Sequence, residues 1–198
     1  MQAAARIRPR PVKARLMVLA RWRARRASKA LIEQLRGEIV AAARRSALYE
    51  ALGAPDRIDG RFELLTLHVG LVLRRLVAVG GIGHDMAQEL INSVFLHFDD
   101  TLREMALSDV AVSKRLKAIR EAFYGRNAAY AAALDSGSRP ALEAALARNV
   151  YGAPNGSPRA RALADYVAAV DAALAETPLE IFATGRFQYP EGPIASGG

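Results

Sequence analysis

The segment from Arg61 to Val79 constrains the fold more than any other. Phe62, Leu65, Val69, Val72 and Leu76 recur at helical spacing, and Leu64, Leu67, Leu71 and Leu73 make much of the remaining circumference apolar as well. A helix that is apolar on most sides has to be surrounded by other elements. Those elements are expected to be helices too. Ala, Leu, Arg and Glu dominate the chain and long β-branched runs are missing. There is no βα alternation of the kind that builds nucleotide-binding α/β folds, and no repeat with a period of about 20–50 residues. The expectation is an all-α single bundle of about six helices.

The neighbouring helices can be placed from stripes and breakers. The first can start anywhere between Val12 and Ser28. From Ser28 it carries Leu31, Ile32, Leu35, Ile39, Ala42 and Leu48, and it ends at Gly53-Ala54-Pro55. Asp56 to Asp59 read as a loop, with Asp59 as N-cap of the central helix. After the turn Gly80-Gly81-Ile82-Gly83, a third helix covers His84 to Met105 with Leu90, Ile91, Val94, Phe95, Phe98 and Leu102 facing in. Ser108 or Asp109 can cap a fourth, from Val112 to Leu134, which carries Leu116, Ile119, Phe123, Ala128 and Tyr130. A short helix from Pro140 to Val150 has proline in its first turn, and a sixth spans Arg159 to Ala175. The remainder is expected to be extended or turn-like, with Phe182, Phe187 and Tyr189 pinning it to the body. The division is a basic arm over 1–27, a helical domain over 28–176 and a tail over 177–198.

At 198 residues the chain is long enough for one core, and 52% apolar content argues for a folded protein. The net charge of +8 is unevenly placed. Residues 1–30 hold ten Lys or Arg and no acid, whereas the remaining 168 carry 18 basic and 20 acidic residues. The basic balance therefore belongs to one arm, with Arg21, Trp22, Arg23, Arg25 and Arg26 as its candidate contacts. Such an arm seeks phosphate, either of lipid head groups or of nucleic acid, or else serves as a solubilising tail. Trp22 and the run Leu16 to Leu19 add interfacial apolar contact on the lipid reading. Met17 is an alternative start, which would make residues 1–16 an extension. No run approaches the roughly 18 apolar residues of a membrane span. Cysteine is absent, which excludes disulfides, thiolate nucleophiles and Cys-based zinc sites.

Catalytic constellations are weak. His68, His84 and His97 are the only imidazoles, and none stands three after a glutamate as helical di-iron sites require. His68 reads as a core or partner-facing histidine. There is no Gly-x-Ser-x-Gly elbow, and Gly80 to Gly83 lacks the Gly-Lys-Ser/Thr ending of a phosphate loop. Asp99, Asp100 and Glu104 are paired carboxylates in principle, and a rival enzyme reading would use Asp99 and Glu104 with His68; a solvated helix face near Arg103 is the simpler reading. No metal site and no cofactor are expected. The charges bordering apolar helices are more telling: Arg61, Glu63, Arg74, Arg75, Arg103, Glu104 and Arg126 must be paired or face water. They are either structural ion pairs or fixed anchors beside a groove for an apolar helical client.

Taken in order, several segments resemble one family. These are Tyr49 with Gly53-Ala54-Pro55-Asp56, then Asp59-Gly60-Arg61-Phe62-Glu63-Leu64, Leu67-His68-Val69 and Leu73-Arg74-Arg75-Leu76. Phe98-Asp99, Leu102-Arg103-Glu104-Met105, Ser108-Asp109 with Val112 and Lys114, and Ala122-Phe123-Tyr124-Gly125-Arg126 with Ala129-Tyr130 complete the set. Over roughly Tyr49 to Leu134 the pattern is similar to the ubiquinol–cytochrome c chaperones. The chain departs from it at Ala106-Leu107-Ser108 and Ser113, where the family often has glycine or a smaller residue.

The resemblance implies an all-helical, non-enzymatic assembly chaperone for respiratory complex III that binds newly made cytochrome b. In mitochondrial members it also implies a small partner chaperone and the ribosome. The absence of a long leader favours a bacterial form, cytoplasmic and peripheral to the inner membrane; a eukaryotic form would be mitochondrial. The client surface expected on this reading is a groove around Arg61, Glu63, His68, Arg75, Arg103, Glu104, Tyr124 and Arg126. The alternative is a nucleic-acid- or ribosome-binding helical protein acting through the arm, with no specific DNA expected.

Overall fold

The computed structural model describes residues 12–105 and 108–192, with side chains described from Ser28 onward. The expected arm contacts Arg21, Trp22, Arg23, Arg25 and Arg26 thus lie outside the described side chains. The described residues form eight helices and no strand: α1 (Val12–Ala43), α2 (Ser46–Glu50), α3 (Ile58–Val79), α4 (Ile82–Glu104), α5 (Asp109–Asp135), α6 (Arg139–Asn149), α7 (Pro158–Glu176) and α8 (Leu179–Ala183). The six longer ones match the all-α bundle expected from periodicity, and α2 and α8 are five-residue additions.

The central helix is α3. It packs against α1, α4, α5 and α7, and Leu64, Leu67, Val69, Leu71, Val72 and Leu76 are all buried. Burying each such side chain is worth roughly 1.5–3 kcal/mol, which makes this helix the main source of cohesion. Around it, α4 contributes Leu90, Ile91, Val94 and Phe95, α5 contributes Phe123 and Tyr130, and α7 contributes Leu163, Tyr166, Val167 and Val170.

The element ends depart from the expected ones for identifiable reasons. The first helix does not run on to Gly53. It stops at Ala43; Arg45 leaves the helical region (φ −58°, ψ 129°), and its guanidinium donates to the carbonyls of Tyr189 and Pro190 at 3.0 and 3.2 Å. Asp59 is not the N-cap of α3. The flanking residue is Arg57, and Asp59 stands in the first turn, where a negative charge suits the helix dipole.

α4 begins at Ile82, two residues early, inside the glycine turn. Gly80 and Gly81 hold positive φ values of 73° and 52°. At Gly83 a Cβ would lie 2.3 Å from the Leu76 carbonyl oxygen, so this glycine lets α4 start hard against the end of α3. Ser108 is the cap of α5, its Oγ accepting from the Ala111 N–H at 3.3 Å. In the tail, Phe182 stacks on Phe187 with centroids 4.7 Å apart, and Phe182, Phe187 and Tyr189 are all buried.

Candidate functional site

Two sides of α3 have different chemistry. Toward α7 and the tail stands His68, fully buried. Its Nδ1–H donates to the Leu64 carbonyl at 2.7 Å, which leaves Nε2 to accept from the Tyr166 hydroxyl at 2.8 Å. The Tyr189 hydroxyl donates to the His68 carbonyl at 3.3 Å. Burial lowers the imidazole pKa to about 4, partly opposed by the bond to Leu64, so the ring is neutral and serves to join α3, α7 and the tail.

Toward α5, Glu63 is buried and meets Arg126 at 2.5 Å. Burial pushes this carboxyl up, while the bond to Arg126 pulls it down. The Arg126 guanidinium also lies 5.6 Å from the Phe62 ring centroid.

Between α3 and α5, with α7 beneath, runs an open groove of about 610 Å³. Leu73, Val77 and Ala78 line it from α3; Phe123, Tyr124, Ala128 and Ala131 from α5; and Ala175 from α7. The three alanines of α5 and α7 leave the trough wide, and Gly70 permits the close crossing beside it, since a Cβ there would meet the Asn127 side chain. Charge is confined to the rim and already satisfied. Arg74 pairs with Asp135 at 2.5 Å and Asp171 at 3.1 Å, tying α3 to α5 and α7. Arg75 donates to the Thr177 carbonyl at 2.9 and 3.2 Å. Arg74 is thus ion-paired and Arg75, which has no carboxylate partner, is hydrogen-bonded, which lowers the cost of an apolar segment entering beside them.

Of the eight residues singled out in sequence, Arg75 and Tyr124 line this groove. Glu63, buried, pairs with half-buried Arg126, and His68 sits in the core. The other three lie elsewhere: Arg61 is exposed and paired with Asp56 at 2.7 Å, Arg103 is exposed between Asp99 and Asp109, each at 2.8 Å, and Glu104 is exposed at the end of α4. Of the groove's small lining residues, Ala131 and Ala175 were not singled out in sequence, and Ala128 was named only as one of the apolar positions of its helix. Their only signal there was the run of alanines along α5. Asp99 and Glu104 do not converge with buried His68, so an acid–base constellation of these three is not assembled. No cluster among the described residues has the three or more His, Asp or Glu that could hold a metal ion, and no described helix is long and apolar enough to cross a membrane.

This is an all-helical protein with a mostly apolar trough whose bordering arginines are hydrogen-bonded. The ubiquinol–cytochrome C chaperone family profile matches residues 50–189, and the chain belongs to that family. The crystal structure of a Cbp3 homolog from Brucella abortus is similar with a TM-score of 0.79 at 35% identity, covering 88% of this chain and 97% of that chain. No curated protein sequence matches.

Proposed function

We propose that the chain is a non-enzymatic assembly chaperone for ubiquinol–cytochrome c reductase, complex III, and that it holds newly made cytochrome b until haem and partner subunits join. Family membership supports the assembly role. The observation that carries the client reading is the trough between α3 and α5, apolar along its length with its bordering arginines already bonded. A membrane-protein helix exposed before assembly presents apolar ridges that such a trough shields from aggregation. A groove open to solvent gives reversible holding, which a chaperone needs. Arg75 and Tyr124 would touch the client, while Glu63, Arg126 and His68 hold the walls in place.

The basic arm would keep the protein at the cytoplasmic face of the inner membrane. Lys and Arg contribute about 1 kcal/mol each near an anionic leaflet, enough for reversible attachment. A small partner chaperone and the ribosome are further candidate partners. The direct experiment is affinity capture from the native host during a pulse label. New cytochrome b should co-purify and disappear on chase. Its absence, with ribosomal RNA recovered instead, would favour the nucleic-acid reading of the arm.

A further inference from the structure

We infer that the outer face of α5 is a docking surface for an anionic bilayer; this rests on the client reading above and extends it. Val110, Lys114, Lys117, Glu121, Tyr124 and Ala128 recur three or four apart, so they form one row along the helix. All six are exposed. Arg120 flanks the row, also exposed. The row and its flank thus present three cations, Lys114, Lys117 and Arg120, and one acid. That acid, Glu121, approaches Lys117 only to 3.9 Å. The body of the protein is otherwise near neutral, so this is a local field and not a share of a general one. Arg120 lies 4.7 Å over the Phe95 ring, which fixes one of the charges at the surface.

The apolar members of the row decide between two anionic partners. Val110 is 80% exposed and Tyr124 54%. Nucleic acid would use the cations but gain nothing from covering Val110. A leaflet uses both, with cations at the phosphates and Val110 and Tyr124 in the interface. Tyr124 and Ala128 also line the trough. With this face on the membrane, the trough opens at head-group level, where an apolar segment leaving the bilayer first meets it.

The chain has no cysteine, so a single introduced one reports on a single place. In the full chain, Val110→Cys carrying an NBD fluorophore should brighten and shift to the blue on phosphatidylglycerol-rich vesicles and stay unchanged on pure phosphatidylcholine. The same label at Gln188→Cys, on the tail that packs against α1, should not respond. Adding Lys114→Gln and Lys117→Gln should raise the lipid needed for half-response about 25-fold, at roughly fivefold per cation. A Val110 label that remains in water while the protein sits on the vesicles would overturn the inference, since the arm alone would then be binding. So would a response to an RNA oligomer in place of lipid, or a shift of about twofold or less in the double variant. Capture of cytochrome b in detergent separates the two readings. If the unsubstituted chain fails to capture it while the label still responds to lipid, the client reading falls and the bilayer surface stands.

Discussion

Glu63 and Arg126 meet at 2.5 Å across the α3–α5 interface, the carboxylate buried and the guanidinium partly open to solvent. The contact fixes one wall of the trough against the other, because Phe123, Tyr124 and Asn127 on the same stretch of α5 line it.

Removing Arg126 leaves a buried carboxylate without its partner. Arg126→Met should cost about 3 kcal/mol in urea unfolding at neutral pH, and Glu63→Gln in the same chain should restore much of it. Because burial raises the Glu63 carboxyl above its ordinary 4.5, the folded state binds this proton more tightly than the unfolded chain. Its contribution is therefore present at low pH and lost as pH rises through the folded value. In Glu63→Gln that decline should vanish. A loss below about 1 kcal/mol in Arg126→Met would show that the pair does not hold the wall.

His68 sets an acid limit of opposite sign. Its folded pKa of about 4 lies below the ordinary 6.5, so the unfolded chain takes up the proton first as pH falls. Stability from this site is complete above about 6.5 and is lost progressively down to about 4, by about 3 kcal/mol in all. Unfolding free energies at pH 7.5 and pH 5 should differ in the native chain. His68→Gln should be less stable at pH 7.5 but should show a smaller difference between the two conditions. An unchanged difference would mean that some other group carries the acid sensitivity.

Two glycines should respond oppositely to alanine. At Gly83 the new Cβ would press on the Leu76 carbonyl oxygen, a backbone atom that cannot rotate away, so Gly83→Ala should cost about 1–3 kcal/mol. Gly125 lies within α5, and a methyl group added there would meet nothing within 4 Å, so Gly125→Ala should stabilise by about 0.5–1 kcal/mol. Thermal unfolding of both variants checks the pair. A destabilised Gly125→Ala would reveal a packing role for that position.

Periodicity placed the six long helices and the central position of Arg61 to Val79, since both depend on local spacing. It misplaced their ends where a distant residue decides. At the break after Ala43, Arg45 bonds to Tyr189 and Pro190, and nothing near Arg45 announces this. The site was legible in the same uneven way. That Glu63, Arg75 and Arg126 needed partners could be argued from burial costs alone. Which partner each would find depended on helices about 60 to 100 residues away. His68 was recognisable as a core candidate, but its bonds to Tyr166 and Tyr189 were not. The trough escaped notice because alanines make it, and a small residue marks a cavity only once the neighbouring helices are in place.

The proposed function stands or falls on an apolar client occupying the trough between α3 and α5, and one substitution addresses it. Ala128 is exposed on the trough wall, so Ala128→Trp should fill the space with a stability change of about 0.5 kcal/mol or less. The quantity to measure is the cytochrome b that co-purifies with this variant from the native host, beside the unsubstituted chain. Ala128→Trp should stay folded and lose most of the captured cytochrome b. Full capture by a folded Ala128→Trp would rule out the trough as the client's seat.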